Sequence, residues 1–315
     1  MLQKLKQQID RVQKAGATYA DARWVPYEKR SKLLMWNGNL KTNELARESG
    51  LGVRVLYEGA WGFSATSDPS NPAVAFDRAL GNAQVAARRV TFPVRLAEKE
   101  ALQAEFASPC AIDPFEVPLA EKVAFLRDMD ERLNQQGVFQ RIGDLFFIQK
   151  QIVFLDSEGS EIEKRITDVF AQLEVAGKDD QGTTHERKFM LGRRGNSRGW
   201  ESIDAGRFAE NAERIVREMN QVLAAPQCPV ENRSVILMPD IMFLQTHETI
   251  GHPLELDRIL GYELAYAGGS LVTLDDFGTL RYGSEKLTAR ADATVPNSPG
   301  SFGYDDDGVA CRDTV

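Results

Sequence analysis

The sequence predicts an α+β fold: an antiparallel-strand-rich N-terminal domain with flanking helices, followed by a second, shorter domain. Three observations carry this. Between residues 19 and 66, short apolar and β-branched runs are cut by Asn37-Gly38, Gly50 and Glu58-Gly59, the pattern of antiparallel strands joined by tight turns. Stretches at 2–14, 72–87, 119–133 and 205–224 repeat apolar residues at helical spacing instead. The helical and strand-like stretches fall in groups, which is the signature of α+β packing.

The first helix carries Leu2, Leu5, Ile9 and Val12 on one stripe. The strand meander over 19–66 follows. Asn71-Pro72 opens the next helix, because proline at the first helical position loses no hydrogen bond; Phe76, Ala79, Leu80, Ala83 and Ala87 form its inner face. A proline-containing stretch at 109–118 precedes a helix with Leu119, Val123, Leu126 and Leu133 on one face, which Gly137 can end. Residues 144–176 return to strands around a turn at Asp156–Ser160, and 177–201 reads as a polar loop or hairpin end, with solvated charges in "GRRGNSRGW". The helix at 205–224 turns Phe208, Ala212, Ile215, Met219 and Leu223 inward. "SVILMPD" (234–240) reads as a short buried strand whose Asp240 caps the helix that follows. The domain boundary is placed at 228, giving domains 1–228 and 229–315. The second has thin material for an independent core, and "CRDTV" ends on what reads as the start of a strand, so it is expected to be C-terminally truncated.

Composition narrows the function classes. At 315 residues with 43% hydrophobic content, the chain has enough apolar mass for real cores. A net charge of −8 argues against a nucleic-acid surface, which needs concentrated Lys and Arg. No run approaches the ~18 apolar residues of a membrane span, and the charged N-terminus has no secretory apolar region. Cys110, Cys228 and Cys311 are far apart and form no CxxC, so no disulfide framework is expected and a cytoplasmic location fits.

Two of the three histidines, His247 and His252, lie in "LQTHETIGHPLELDR" (244–258), with Glu248 directly after the first. A hydrolytic zinc site needs imidazoles on the metal, an open position for water and a nearby carboxylate base. On a straight α-helix, however, residues five apart point ~140° away from each other. Gly251 relaxes the backbone, and Pro253 cannot donate back to Thr249. A widened, π-type turn here would bring the two imidazoles together. The alternative is that both are ordinary helix residues, one of them buried on a carbonyl. Glu255 and Asp257 can orient a ligand imidazole through its other ring nitrogen, or be solvated charges. His185 is read as a solvated loop histidine, "GYDDDG" (303–308) as a turn near the site, and Trp24, Trp36, Trp61 and Trp200 as core or interface residues.

The segments "HETIGHPLELDRILG", "YAGGSLVTLDDFGTL" and "GSFGYDDDGVACRDT" resemble the TldD/PmbA family of metallopeptidases. "YADARW", "GLGVRVLYEGAWGFSAT" and "IVFLDSEGS" are similar to that family's first and middle regions, so the resemblance runs along nearly the whole chain. With HExxxH intact, the chain looks like the catalytic, TldD type. The resemblance implies Zn2+ on His247 and His252, Glu248 as general base, and a cytosolic peptidase that takes unfolded peptide docked as an extended strand. It also implies a homodimer or a heterodimer with a PmbA-type subunit, with no nucleic acid or membrane as partner. The third zinc ligand it implies is a Cys near the C-terminus, which this chain does not contain; Cys311 does not match that position. The alternative function is a non-catalytic or inactive truncated subunit that binds within a TldD/PmbA-type complex.

Overall fold

Strand pairing organises the first of two units, Met1–Ala225 together with Asp292–Arg312. The computed structural model describes residues 1–193 and 195–314, and the side chains of Arg193 and Asp240 are outside that description. The expectation of a solvated Arg194, the cap from the Asp240 side chain and the reading of Val315 therefore fall outside the described residues.

In chain order the first unit contains α1 (Leu2–Lys14), β1 (Tyr19–Trp36), β2 (Asn39–Tyr57), β3 (Ala60–Thr66), α2 (Pro72–Ala87), β4 (Gln103–Ala107), α3 (Leu119–Leu133), β5 (Gln140–Asp156), β6 (Glu161–Lys178), β7 (Thr184–Met190) and α4 (Ala205–Leu223). The strands form one seven-stranded sheet in the order β3-β2-β1-β5-β6-β4, with β7 also on β6. Every pair is antiparallel except β4 with β6. The two expected hairpin turns form. Asn37 and Gly38 have φ of 48° and 75°, and Glu58 and Gly59 have 48° and 77°, the paired positive values that match the twist of flanking strands.

One irregularity decides how the cores are arranged. Against both neighbours, β1 carries one extra residue: pairing jumps from Val25 to Glu28 against Gly50 and Glu48 of β2, and from Trp24 to Tyr27 against Val153 and Gln151 of β5. Pro26 lies in this bulge, where its missing N–H breaks no ladder bond. A one-residue insertion exchanges the two faces of a strand. Before it, Ala20 and Ala22 point inward; after it, Leu33 and Met35 do. On β5, which has no such insertion, Leu145, Phe147, Val153 and Leu155 are all inward. The bulge therefore keeps both cores on one face of the sheet. There α1 and α2 cover one end with Leu5, Ile9, Val12, Phe76 and Ala79, and α3 and α4 cover the other with Leu126, Met129, Phe208, Ile215 and Met219. Phe147 and Phe208 are fully buried in this layer, and each such side chain stabilises the fold by roughly 1.5–3 kcal/mol.

The opposite face takes the segment 292–312, which returns to the first unit. Its acidic turn is gripped by cations on the sheet side. Arg23 Nε donates to the Asp306 carbonyl at 2.9 Å, Lys164 Nζ to Tyr304 O at 2.7 Å, and Lys99 Nζ to Asp307 O at 2.5 Å. Arg54 bridges the Asp307 carboxylate and the buried Asp21, both at 2.6 Å. "GYDDDG" is thus a turn, and it belongs to the first unit.

Several expectations are corrected. Gly50 is inside β2, paired with Val25 beside the bulge, and is no turn. Leu119 is exposed, so the buried face of α3 is Lys122, Leu126, Met129, Asp130 and Leu133; the helix ends at Leu133, and Gly137 turns the chain afterwards at φ 88°. The stretch 177–201 contains β7, and His185 stands on it, bonded through Nε2 to Asp179 at 2.9 Å across the hairpin end. The reading of the cysteines needs no such change, since all three are free. Trp24 and Trp200 pack on the cores, Trp61 meets Tyr19 edge-on at 5.8 Å, and Trp36 is exposed.

The second unit, Pro226–Ala291 with Asp313–Val315, is mostly turns and short helices. The expected buried strand at 234–240 is absent. Residues 234–238 have no regular structure, Val235 and Ile236 are exposed, and the helix α5 (Pro239–Thr246) begins with Met238 at its cap position. An apolar run becomes a buried strand only beside strands that pair its backbone, and 234–238 has no such neighbour here. Among the described residues of this unit, Val272 is the only buried hydrophobic. No described helix is long and apolar enough to cross a membrane.

The open part of the sheet face opposite α3 and α4 contains one misfit. Asp144 lies between Leu34 of β1 and Gln172 of β6, and its Oδ1 is buried with no hydrogen-bond partner. Burial pushes its carboxyl above the ordinary range, against a smaller opposing pull from Lys32. A carboxyl raised on folding favours the native state at low pH and loses that contribution as pH rises through its folded pKa. Asp144→Asn keeps the unpartnered oxygen and removes the charge, so it is expected to gain ~1 kcal/mol in urea unfolding at neutral pH, the low end of the desolvation cost of a buried polar group, and nothing in acid. An equal gain at both pH values would show that the charge is not the cause.

Candidate metal centre

The HETIGH segment follows directly from α5, whose Pro239 sits at the helix start. His247–Gly251 then form a π-helical turn, and the His252 N–H donates to the His247 carbonyl, five residues back. That wider ring absorbs the extra residue of the motif. His247 and His252 come onto one side, with ring centroids 4.1 Å apart at an interplanar angle of 70°.

Two local causes were expected for this turn, and they contribute unequally. Gly251 has φ −56° and ψ −70°, a right-handed conformation, and a Cβ there would meet only Thr246 O at 3.9 Å. Its glycine character is not what the turn requires. Pro253 matters more, since it leaves the Thr249 carbonyl without its helical donor. The Tyr282 hydroxyl fills the gap, donating to Thr249 O at 2.5 Å. Thr249 Oγ1 in turn donates to Gln245 O at 2.5 Å.

Glu248 Oε1 lies 3.9 Å from His247 Nε2, and both side chains are more than half exposed. One ligand atom from each of His247, Glu248 and His252 can be chosen so that all lie within 4.8 Å of one another, the only such group among the described residues. Glu255 Oε1 is 2.8 Å from His252 Nδ1. That contact occupies one ring nitrogen and leaves Nε2 available, the arrangement that outer carboxylates impose on metal-binding imidazoles. Hydrogen bonds from His252 and then from Arg258 hold the Glu255 carboxyl below the usual carboxylate range. Asp257 does otherwise: its Oδ1 accepts from the Arg258 N–H at 2.8 Å and meets no imidazole. Two imidazoles and a carboxylate around one open point suit a borderline divalent ion such as zinc.

Two residues here escaped the sequence reading. Arg258 stands three residues after Glu255, a spacing at which helical side chains meet. Tyr282 is distant in sequence, and the carbonyl orphaned by Pro253 was the one available signal that a donor was required.

The family model for PmbA/TldA metallopeptidase domain 1 matches residues 27–83, and the model for the central domain of the same family matches 112–220. The chain belongs to the PmbA/TldD family. Among its relatives, a protein of Methanothermobacter thermautotrophicus named metalloprotease is 28% identical over 296 residues, 89% of this chain and 62% of its own length. A metalloprotease of Methanocaldococcus jannaschii is 25% identical over 311 residues, 98% of this chain and 65% of that protein. This PmbA/TldD chain thus spans a little under two thirds of the length of these relatives. Two solved structures share its fold. TldE from Thermococcus kodakarensis matches with a TM-score of 0.64 at 15% identity, over 98% of this chain and 66% of that one. A Thermotoga maritima protein, described as a candidate modulator of a DNA gyrase, matches with a TM-score of 0.69 at 16% identity, over 100% of this chain and 68% of that one.

Proposed function

We propose that this chain is the zinc-binding, catalytic type of subunit in a PmbA/TldD metallopeptidase and that its substrate is an unfolded peptide. The observation that carries the reading is the π-turn, which sets His247 and His252 side by side with Glu248 beside them. A helix without that turn would separate the two rings.

His247 and His252 would hold the ion, with His252 fixed by Glu255. Zinc, when bound there, supplies Lewis acidity to a peptide carbonyl and acidifies water. Glu248 removes the proton of the attacking water and passes it to the leaving amine, the paired base and acid steps of peptide hydrolysis. The exposure of His247 and Glu248 leaves the motif open to an extended chain. A cytoplasmic protein, dimeric with itself or with a PmbA-type partner, completes the reading.

The test is metal analysis of the purified full chain after equilibration with zinc and desalting. Stoichiometric zinc that disappears in His252→Ala supports the reading. Retention of the same zinc in His252→Ala would overturn it by placing the ion elsewhere; no zinc in either protein would overturn it and leave the chain as a non-catalytic binding subunit.

A further inference from the structure

Resting on the zinc reading above, we propose that Arg258 is a positioning residue for the metal site: it clamps Glu255, and through Glu255 it fixes the ring of His252. The geometry is a short chain of directed bonds. His252 Nδ1 meets Glu255 Oε1 at 2.8 Å, Arg258 Nε donates to Glu255 Oε2 at 2.8 Å, and the same guanidinium donates from Nη1 to the Ala267 carbonyl at 3.0 Å. The two oxygens of one carboxylate thus take one partner each.

The order of burial argues that Arg258 is the fixed end. Its side chain is 16% exposed, against 42% for Glu255 and 27% for His252. A carboxylate in water samples several rotamers, and an imidazole bonded to it inherits that freedom. The planar guanidinium removes it, because its donors are rigidly spaced and one of them is already tied to the backbone. The Ala267 carbonyl is itself held by a turn in which the N–H groups of Ala267 and Gly268 donate to Glu263 O at 2.9 and 3.0 Å, with Gly268 at φ 83°. The loop after the motif therefore reaches the imidazole through two side chains, Arg258 and Glu255. In a carboxylate–imidazole pair the ring nitrogen facing the carboxylate carries the proton, which leaves the opposite nitrogen as the metal donor.

Two measurements test this, one of them without metal. In long-range 1H–15N spectra of the metal-free chain in mildly alkaline buffer, His252 is expected to show the Nδ1–H tautomer, and Arg258→Ala to replace it with a tautomer mixture. By competition with a chelator, Arg258→Ala is expected to weaken zinc binding about tenfold, the lower end of the effect of outer partners on metal affinity. Arg258→Lys should recover part of the loss, because a lysine restores one donor and not the fork. In a Glu255→Ala background, adding Arg258→Ala should change affinity no further. A tautomer unchanged by Arg258→Ala, a zinc affinity unchanged by it, or an equal loss in the Glu255→Ala background, would each overturn the positioning role. The two readings fail separately. A tautomer change in a chain that takes no zinc would retain Arg258 as the orienting group and remove the metal; zinc binding indifferent to Arg258 would do the reverse.

Discussion

Gly62→Ala is expected to destabilise the first unit by about 3 kcal/mol, at the upper end of what overpacking costs. A Cβ on Gly62 would fall 2.0 Å from the Ala79 carbonyl oxygen and 2.3 Å from the Ala83 nitrogen. Both are backbone atoms of α2, so no side chain can rotate away. To make room, α2 must lift from β3, and Phe76, Ala79 and Ala83 lose contact with the core they share with α1. Gly50→Ala is the control. Its Cβ would meet Thr66 O at 3.5 Å, an ordinary contact, so its effect should be well under 1 kcal/mol. Urea unfolding of the two variants beside the wild type decides the matter. If Gly62→Ala unfolds with the wild type, the close approach of α2 to β3 is not a feature of the protein.

The same close packing explains why much of this fold could be read from the residues. Asn37-Gly38 marks a hairpin because only a few residue types tolerate two successive positive φ values, and Pro72 marks a helix start because its missing N–H is harmless there. These are local constraints, and local sequence states them. The bulge in β1 was also legible in principle, since Pro26 cannot sit in a central strand without one; its consequence, that all four helices share a face, follows only once the strand order is known. Residues 234–238 show the opposite case. Val235, Ile236 and Leu237 have strand-like chemistry, but strand formation depends on neighbours that local pattern does not report. The return of 292–312 to the first unit is of the same kind: it rests on Arg23, Arg54, Lys99 and Lys164, all more than a hundred residues earlier.

The candidate site divides along the same line. His247, Glu248 and His252 were visible as types and spacing, and Pro253 gave a physical reason for a widened turn. Glu255 was visible as one of two carboxylates, without a means of choosing it over Asp257. The choice is made by geometry. Glu255 faces His252 from across the short turn that follows it, whereas Asp257 turns back onto the N–H of its own neighbour. Tyr282 and Ala267 act through contacts with no sequence pattern, one a hydroxyl on an orphaned carbonyl and the other a backbone oxygen.

Glu248→Gln in the zinc-loaded protein is expected to lower hydrolysis of an unstructured peptide about 10²–10⁴-fold while zinc stays bound, the range for loss of a positioned acid–base group. The substitution keeps the size and the hydrogen-bonding reach of the side chain and removes only its ability to accept a proton. Glu248 Oε1 lies 3.9 Å from His247 Nε2, close enough for two distinct roles. As the base, the carboxylate stands beside the ion and acts on water, so its loss costs kcat and spares both metal affinity and KM. As a ligand, it completes a set with the two imidazoles, and replacing it would release zinc together with activity. Measuring kcat, KM and bound zinc on the same preparation separates them. Full activity in Glu248→Gln would remove the residue from the mechanism altogether. Zinc lost in step with activity would instead make Glu248 the third protein ligand of this chain, and the proton would then need another acceptor.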